Sequence, residues 1–506
     1  MTGGQATALP TLTARRLGLL SQHDAIVLMR EDSPVCRSEG HAPRSQVLLM
    51  AHGREVTATL YQITGGDLVQ ADEAGLSEAA WARLGVVDGD HIHVRHPSAL
   101  ASMSSVRRRV YGKRLDAGAM VEIIADVAAG RYTDVHLSAF LTACSALPLD
   151  RDEVVHLTRA MVQAGERLTW DSPIVIDKHS VGGLPGNRTT PIVVAIVAAN
   201  GLVIPKTSSR AITSPAGTAD TMETLTKVDL DLAAMRRVVE QEGGCLAWGG
   251  AVRLSPADDV LIRVERVLDI DTEGQLVASV LSKKIAAGST HVVLDIPVGP
   301  TAKVRSQDDA DAISDSLTYV ARLCGVEVRC VRTDGGQPVG RGIGPALEAR
   351  DVLSVLRGAP DAPADLRRRA CLLAGAALEL AGRCGAGEGT HLAERTLADG
   401  RAWEKFQRIC EAQGGLREPP RSTVSRPLVA PRAGRVVAIN NRTLARLAKL
   451  AGAPDAKAAG VDLHVRLGDE VAAGEPLMTV HAQAPGELAY ALDYAAANPD
   501  ILSLEP

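Results

Sequence analysis

Two stretches near the middle of the chain bring cations and hydroxyls together in a spacing suited to holding an anion. The first, P-I-V-I-D-K-H-S-V-G-G-L-P-G-N-R-T-T-P-I-V-V-A-I-V-A-A-N-G, runs from Pro173 to Gly201 and carries Lys178, Ser180, Thr189 and Thr190. The second, L-V-I-P-K-T-S-S-R-A-I-T-S-P-A-G-T-A-D-T-M-E-T-L, runs from Leu202 to Leu225 and carries Lys206, Ser208, Ser209, Arg210 and Thr218. An anion at the start of a helix meets free N–H groups and the positive end of the dipole, and a lysine with several hydroxyls adds further donors. Neither loop matches G-x-x-x-x-G-K-[ST] or G-x-G-x-x-G. One such turn alone reads as an ordinary strand-to-helix connection, because Gly, Ser and Thr are common in turns. Two in tandem, each with a lysine, point to phosphate chemistry.

The elements that must position these residues repeat as well. The β-branched run Ile174 to Ile176 predicts a buried parallel strand. Gly182, Gly183 and Gly186 allow a tight turn and close approach of backbone to a ligand. Thr189 is expected to cap the next helix, Pro191 suits its first turn and Gly201 its end. From Pro173 onward strands and helices alternate, which predicts a parallel sheet. A helical insert from about Ser255 to Ala287 interrupts the alternation, and it resumes at Val292 to Ile296.

Before this region, Ser104 to Leu168 is helical in pattern, with Met120, Ile123, Ile124 and Val127 at i, i+3, i+4 and i+7. Earlier still, Val47 to Met50, Val56 to Ile63 and His91 to Val94 are short β-rich runs between Gly and Asp turns, predicting a small barrel-like module. The Glu418–Pro427 stretch, E-P-P-R-S-T-V-S-R-P, is expected to be a linker. Beyond it, R-A-G-R-V-V-A-I and G-V-D-L-H-V-R-L-G-D-E-V-A-A-G-E-P-L-M-T-V resemble the halves of a carrier-type sandwich. Lys457, in A-P-D-A-K-A-A-G, is a poor match to a modifiable hairpin lysine, so this domain is read as structural.

At 506 residues the chain holds three to four domains, each with ample apolar content at 46% hydrophobic overall. A net charge of -5 and 2% aromatic residues argue against a nucleic-acid partner. The one dense basic run, Arg107, Arg108, Arg109, Lys113 and Arg114, reads as a solvated helix or subunit contact. Eight cysteines without a C-x-x-C pair read as reduced thiols. Arg15 and Arg16 precede only Leu17 to Leu20 before Ser21, Gln22, His23 and Asp24 break the apolar stretch, so no export signal or membrane span is expected. The expected location is cytoplasmic.

At D-K-H-S-V-G-G, S-S-R-A-I-T-S-P-A-G-T-A-D, A-S-V-L-S-K-K and Q-P-V-G-R-G-I-G-P-A-L-E the chain resembles the thymidine and pyrimidine-nucleoside phosphorylase family. It is most similar to the longer branch that includes AMP phosphorylase, through the P-G-N of the first loop, D-I-P-V-G-P-T-A-K and an N-terminal extension. The likeness spans roughly Ser104 to the C-terminus. It implies an α/β multidomain fold: a β-rich extension (1–98), a helical domain (99–170 and 255–288), an α/β phosphate-binding domain (171–254 and 289–422) and a C-terminal α+β sandwich (423–506). It implies no metal or cofactor, inorganic phosphate as co-substrate, a nucleoside or nucleotide substrate bound between the helical and α/β domains, and a homodimer or larger homo-oligomer.

The resemblance also implies roles. Lys178, Ser180, Thr189 or Thr190, Ser208 and Thr218 would hold phosphate. Gly183, Ser209, Arg210, Ala211, Ile212, Thr213 and Ser214 would line the substrate. His179, Arg266, Ser279 and Lys283 would face the base, Asp271 would deliver its proton, and Lys303 would contact a nucleotide phosphate. Such a split suits phosphorolysis, in which phosphate attacks C1′ on one face while cations and a proton donor stabilise the departing base. Ser279 and Lys283, four apart, share a helix face. Duller readings stand beside these: Asp271 as a helix cap or turn residue, His179 as a loop stabiliser, Lys303 as a solvated lysine, and Arg263 in place of Arg266. Thymidine stands first as substrate and a nucleoside 5′-monophosphate second. An anthranilate-type phosphoribosyltransferase comes a distant third, for want of a G-T-G-G-D loop.

Overall fold

The computed structural model describes residues 11–22, 24–211, 214–252, 254–270 and 272–506. Four residues that entered the sequence argument, His23, Ile212, Thr213 and Asp271, lie outside them. The chain forms two compact units, one of residues 1–114 with 125–143, the other of 115–124 with 144–506.

The first unit contains a closed six-stranded barrel. Its strands, Thr11–Arg16, Ile26–Arg30, Gln46–Ala51, Arg54–Ile63, Glu73–Leu76 and His91–Arg95, close where Thr11 to Thr13 pair antiparallel with His91 to His93. Alternation makes the core: Val47, Leu49 and Ala51 of one strand point inward with Leu12, Val27 and Leu60. The basic run that follows is only partly solvated. Its helix, Met103–Val110, exposes Arg107 and Arg108 but buries Arg109 at 1% exposure.

The second unit is built on parallel strands. Glu327–Asp334, His291–Val298 and Ile176–Ser180 form one sheet. Ile204–Ser208 and Gly244–Trp248 pair beside it, linked by a parallel bridge between Val175 and Val203. Thr190–Ala199, apolar all round, is the buried helix against this sheet. Both tandem strands lie further along the chain than expected. The first spans Ile176–Ser180 and the second Ile204–Ser208, so Lys178, His179, Ser180, Lys206 and Ser208 sit on strands and not in loops. The apolar run that signals the strand is its buried entry; the charged residues ride its exit.

The insert forms helices Pro256–Leu268 and Glu273–Ala286, and the second packs along Arg151–Gln163, which opens with a capping box between Asp150 and Glu153. The expected linker is shorter than its composition implied, because strand Val424–Val429 begins inside it. The two C-terminal halves share a three-stranded sheet, in which Gly434–Ile439 of the first pairs with Glu470–Val471 of the second, while Gly460–Leu463 and Pro476–Ala482 of the second lie in a four-stranded one. That four-stranded sheet also takes in Gly342–Ile343, from R-G-I-G-P, as its edge.

Candidate active site

Strand alternation divides the residues of D-K-H-S between two faces: Lys178 and Ser180 on one, Asp177 and His179 on the other. On the first face Lys178, 1% exposed, donates from Nζ to Thr189 Oγ1 at 2.9 Å. Thr189 therefore does not cap its helix; its hydroxyl makes no capping bond and serves the lysine instead. Burial pushes Lys178 down to about 8, against the pull of Asp295 and with help from Arg188 and Arg369. Beside it Asn187, in left-handed backbone at φ 50°, donates from Nδ2 to Ser180 Oγ at 3.3 Å and to Asp295 Oδ2 at 3.2 Å. Thr333 Oγ1 donates to the other oxygen of Asp295 at 2.6 Å. Thr190, the alternative to Thr189, is buried as the first residue of the helix.

The first loop is held close to its neighbours. A Cβ on Gly183, at φ 82°, would lie 2.3 Å from the backbone N of Lys303, and one on Gly186 would lie 2.2 Å from Val339 O. Lys303 is thus beside the loop, with its side chain exposed. In the second loop Asp220 accepts from Ala211 N at 2.6 Å and Gly217 N at 2.9 Å, which folds the Ser209–Ala211 backbone onto Gly217. Ser214 bonds Ala216 O at 3.0 Å. Ser208 Oγ is buried and makes no hydrogen bond among the described residues. Such an orphaned hydroxyl costs free energy unless a water or a ligand satisfies it. Thr218 Oγ1 accepts from Arg188 Nη1 at 2.7 Å. Arg210 does not point a free cation at a ligand: Nη1 and Nη2 each lie 2.8 Å from Glu223, and the guanidinium lies over the Trp248 ring.

The other face carries a buried charge cluster that the sequence reading missed. Asp177 lies 3.3 Å from Lys206 Nζ and 3.0 Å from Lys284 Nζ. Burial opposes ionisation of Asp177, yet the two ammonium groups outweigh it and hold its carboxyl below the usual range. Lys206 also donates to Thr207 O. Half-buried His179 sits among these cations, and burial together with Lys284, Lys206, Lys178 and Lys283 drives it well below its ordinary value. Its ring is neutral at pH 7, a hydrogen-bonding group and not a proton source.

On helix Glu273–Ala286, Ser279 and Lys283 are half-buried. Lys283 reaches Asp258 at 2.5 Å; burial lowers its pKa, but Asp258 with Asp259 and Glu265 raises it further, so it stays charged. The N-cap of that helix is Thr272, whose hydroxyl accepts from Gln275 N at 3.4 Å. Arg266 lies exposed in the last turn of Pro256–Leu268, near enough to Lys449 to depress it after burial, whereas Arg263 one turn earlier is half-buried. The structure therefore gathers Lys178, Ser180 and Thr189 at the first strand, joins Thr218 to that loop through Arg188, and sets Arg266 at a solvent face.

Comparisons with known proteins follow the same layout. The family described as "Glycosyl transferase family, a/b domain" matches residues 172–403, its "helical bundle domain" residues 104–165, and the "Pyrimidine nucleoside phosphorylase C-terminal domain" residues 435–501. A relative from Chelativorans sp. carrying the name "Putative thymidine phosphorylase" is 68% identical over 98% of this chain and 97% of its own. A relative of the same name from Tolumonas auensis is 63% identical over 98% of both chains, and one from Legionella pneumophila 57% identical over 97% and 95%. Among solved structures, an anthranilate phosphoribosyltransferase from Thermus thermophilus superposes with a TM-score of 0.50 at 23% identity, covering 61% of this chain and 99% of its own. At that identity the likeness is one of fold.

Proposed function

The chain belongs to the thymidine and pyrimidine-nucleoside phosphorylase family, and on that premise we propose that it cleaves thymidine by phosphorolysis, giving thymine and 2-deoxyribose 1-phosphate. The observation that carries the reading is the buried Lys178, donating to the Thr189 hydroxyl on the face it shares with Ser180. Phosphate lies against Lys178, Ser180, Thr189, Ser208 and Thr218, which hold it in line with C1′. As the glycosidic bond stretches, negative charge grows on the base. Lys283, kept charged by Asp258, and Ser279 stabilise that charge. His179 offers its neutral ring as a hydrogen-bond partner, and Asp271 supplies the proton.

A second reading, a nucleoside 5′-monophosphate giving base and ribose 1,5-bisphosphate, is favoured by one observation: the side-chain-free Gly183 admits the Lys303 backbone against the first loop. Base release from thymidine, uridine, AMP, CMP and UMP, with and without phosphate, separates the two. Turnover of thymidine with monophosphates ignored supports the first reading. Turnover of monophosphates alone, with a large rise in their KM in Lys303→Gln, replaces it with the second. Base release that does not need phosphate removes both.

A further inference from the structure

Arg188 closes the first loop, yet its guanidinium serves the second. Nη1 donates to Thr218 Oγ1 at 2.7 Å, Nη2 to Ala216 O at 2.8 Å and Nε to Glu348 Oε2 at 2.6 Å. The arginine side chain is 12% exposed and the Glu348 side chain 1%. Glu348 is itself fixed, accepting from Gly344 N at 3.2 Å and Thr221 Oγ1 at 3.3 Å. One planar fork thus ties the end of the first loop to the second loop and to the start of helix Pro345–Leu356.

The direction of these bonds has a chemical consequence. A threonine hydroxyl has one hydrogen to donate and two lone pairs to accept with, whereas arginine and protonated lysine only donate. Arg188 therefore takes an acceptor position on Thr218, and the hydroxyl hydrogen must point elsewhere. Lys178 does the same to Thr189 at 2.9 Å. Both hydroxyls are committed as donors, which is what the acceptor oxygens of an ionised phosphate require.

We propose that Arg188, seated on Glu348, is a positioning residue for phosphate: it sets the spacing of the two loops and turns the Thr218 hydroxyl into a donor toward the anion. The inference rests on the phosphorolytic reading only in taking phosphate as that anion. It assigns Arg188 an effect through Thr218 and not as a principal ligand, which separates it from a merely structural ion pair.

The test is a double-mutant cycle of Arg188→Met and Thr218→Val, read by phosphate KM, nucleoside KM and the rise in Tm caused by inorganic phosphate. Each single variant should raise phosphate KM about tenfold or more, as expected for losing a charge-assisted hydrogen bond, with nucleoside KM nearly unchanged. The double variant should be no worse than about threefold beyond the more affected single, because coupled residues are not additive. Arg188→Lys should recover part of the loss, since it keeps the charge without the fork. A folded Arg188→Met enzyme with wild-type phosphate KM overturns the inference, as does a double variant whose losses simply multiply. If Arg188→Met does not fold, Glu348→Gln and Arg188→Lys carry the test, and an unchanged phosphate KM in both overturns it. If wild-type protein releases no base from any nucleoside, the phosphorolytic reading falls, and the phosphate-induced Tm rise decides alone. Its loss in the arginine variant supports the strut; its persistence there, or its absence in the wild type, overturns it.

Discussion

The two tandem strand-loop-helix segments share a recipe but not a wiring. In the first, the strand lysine, Lys178, reaches the threonine of its own loop. In the second, the corresponding lysine, Lys206, turns to Asp177 and to its neighbour's carbonyl, and donates to neither Ser208 nor Thr218. The second loop borrows its cation instead: Arg188 from the first loop serves Thr218. Sequence repetition therefore leaves one strand lysine, Lys178, on a loop hydroxyl, while the other, Lys206, is taken by a buried carboxylate. The difference teaches that a charged side chain's role is set by the nearest buried carboxylate. Asp177 claims Lys206 and Lys284, whereas Asp295 on the other face is satisfied by Asn187 and Thr333 and leaves Lys178 to a hydroxyl.

The comparison breaks most visibly at Asp177. Asp177→Asn leaves two buried ammonium groups without their carboxylate, and destabilisation of about 3–5 kcal/mol is expected from breaking a buried ion cluster by one partner. Chemical denaturation measures it. A loss under 1 kcal/mol would mean the cluster is already well hydrated.

Next in size is the contrast between the lysines. Lys178→Met should raise phosphate KM about ten- to a hundredfold, the equivalent of roughly 1.5–3 kcal/mol, with nucleoside KM little changed. Lys206→Met should leave phosphate KM near the wild-type value, because Lys284 still neutralises Asp177. Initial rates at varied phosphate decide it, and equal rises in both variants would restore the symmetry that the structure denies.

A pH profile sharpens the same point. Lys178, pushed down to about 8 by burial, is charged below that pH and neutral above it. Phosphate affinity should therefore hold below pH 8 and weaken above it, by up to about tenfold per unit. A phosphate KM flat to pH 10 would place the titrating cation elsewhere.

The smallest expected effect belongs to the C-terminal domain. Lys457, the poor carrier-lysine candidate, lies 2.8 Å from Glu223, the carboxylate that also holds Arg210, and its carbonyl accepts from Ala346 N at 3.0 Å. The pair is about one-third exposed, so Lys457→Gln should cost at most about 1 kcal/mol. Thermal denaturation of that variant checks it.

Much of this was legible in the chain, for local reasons. The barrel, the helical insert and the parallel sheet follow from periodicity, and lysines and hydroxyls at repeated places signal the bond of Lys178 to the Thr189 hydroxyl. What is not legible depends on register. Nothing around Asp177 marks it as the partner of Lys284 or Lys206, since the three come from two strands and a helix. Asp295 carries a usable signal, a lone carboxylate inside V-V-L-D-I-P-V. Glu348, in P-A-L-E, carries no local sign of its role, because its partner Arg188 is distant in sequence. Thr189 is expected as a helix cap, but its backbone is already helical at φ -72° and ψ -27°, where the side chain makes no capping bond, and its hydroxyl accepts from Lys178.

Calorimetric titration of inorganic phosphate into wild-type protein, Lys178→Met and Lys206→Met tests the central claim most directly. The account predicts one phosphate per chain, at least tenfold weaker in Lys178→Met and little altered in Lys206→Met. Equal affinity in wild type and Lys178→Met, or equal loss in both variants, would contradict it.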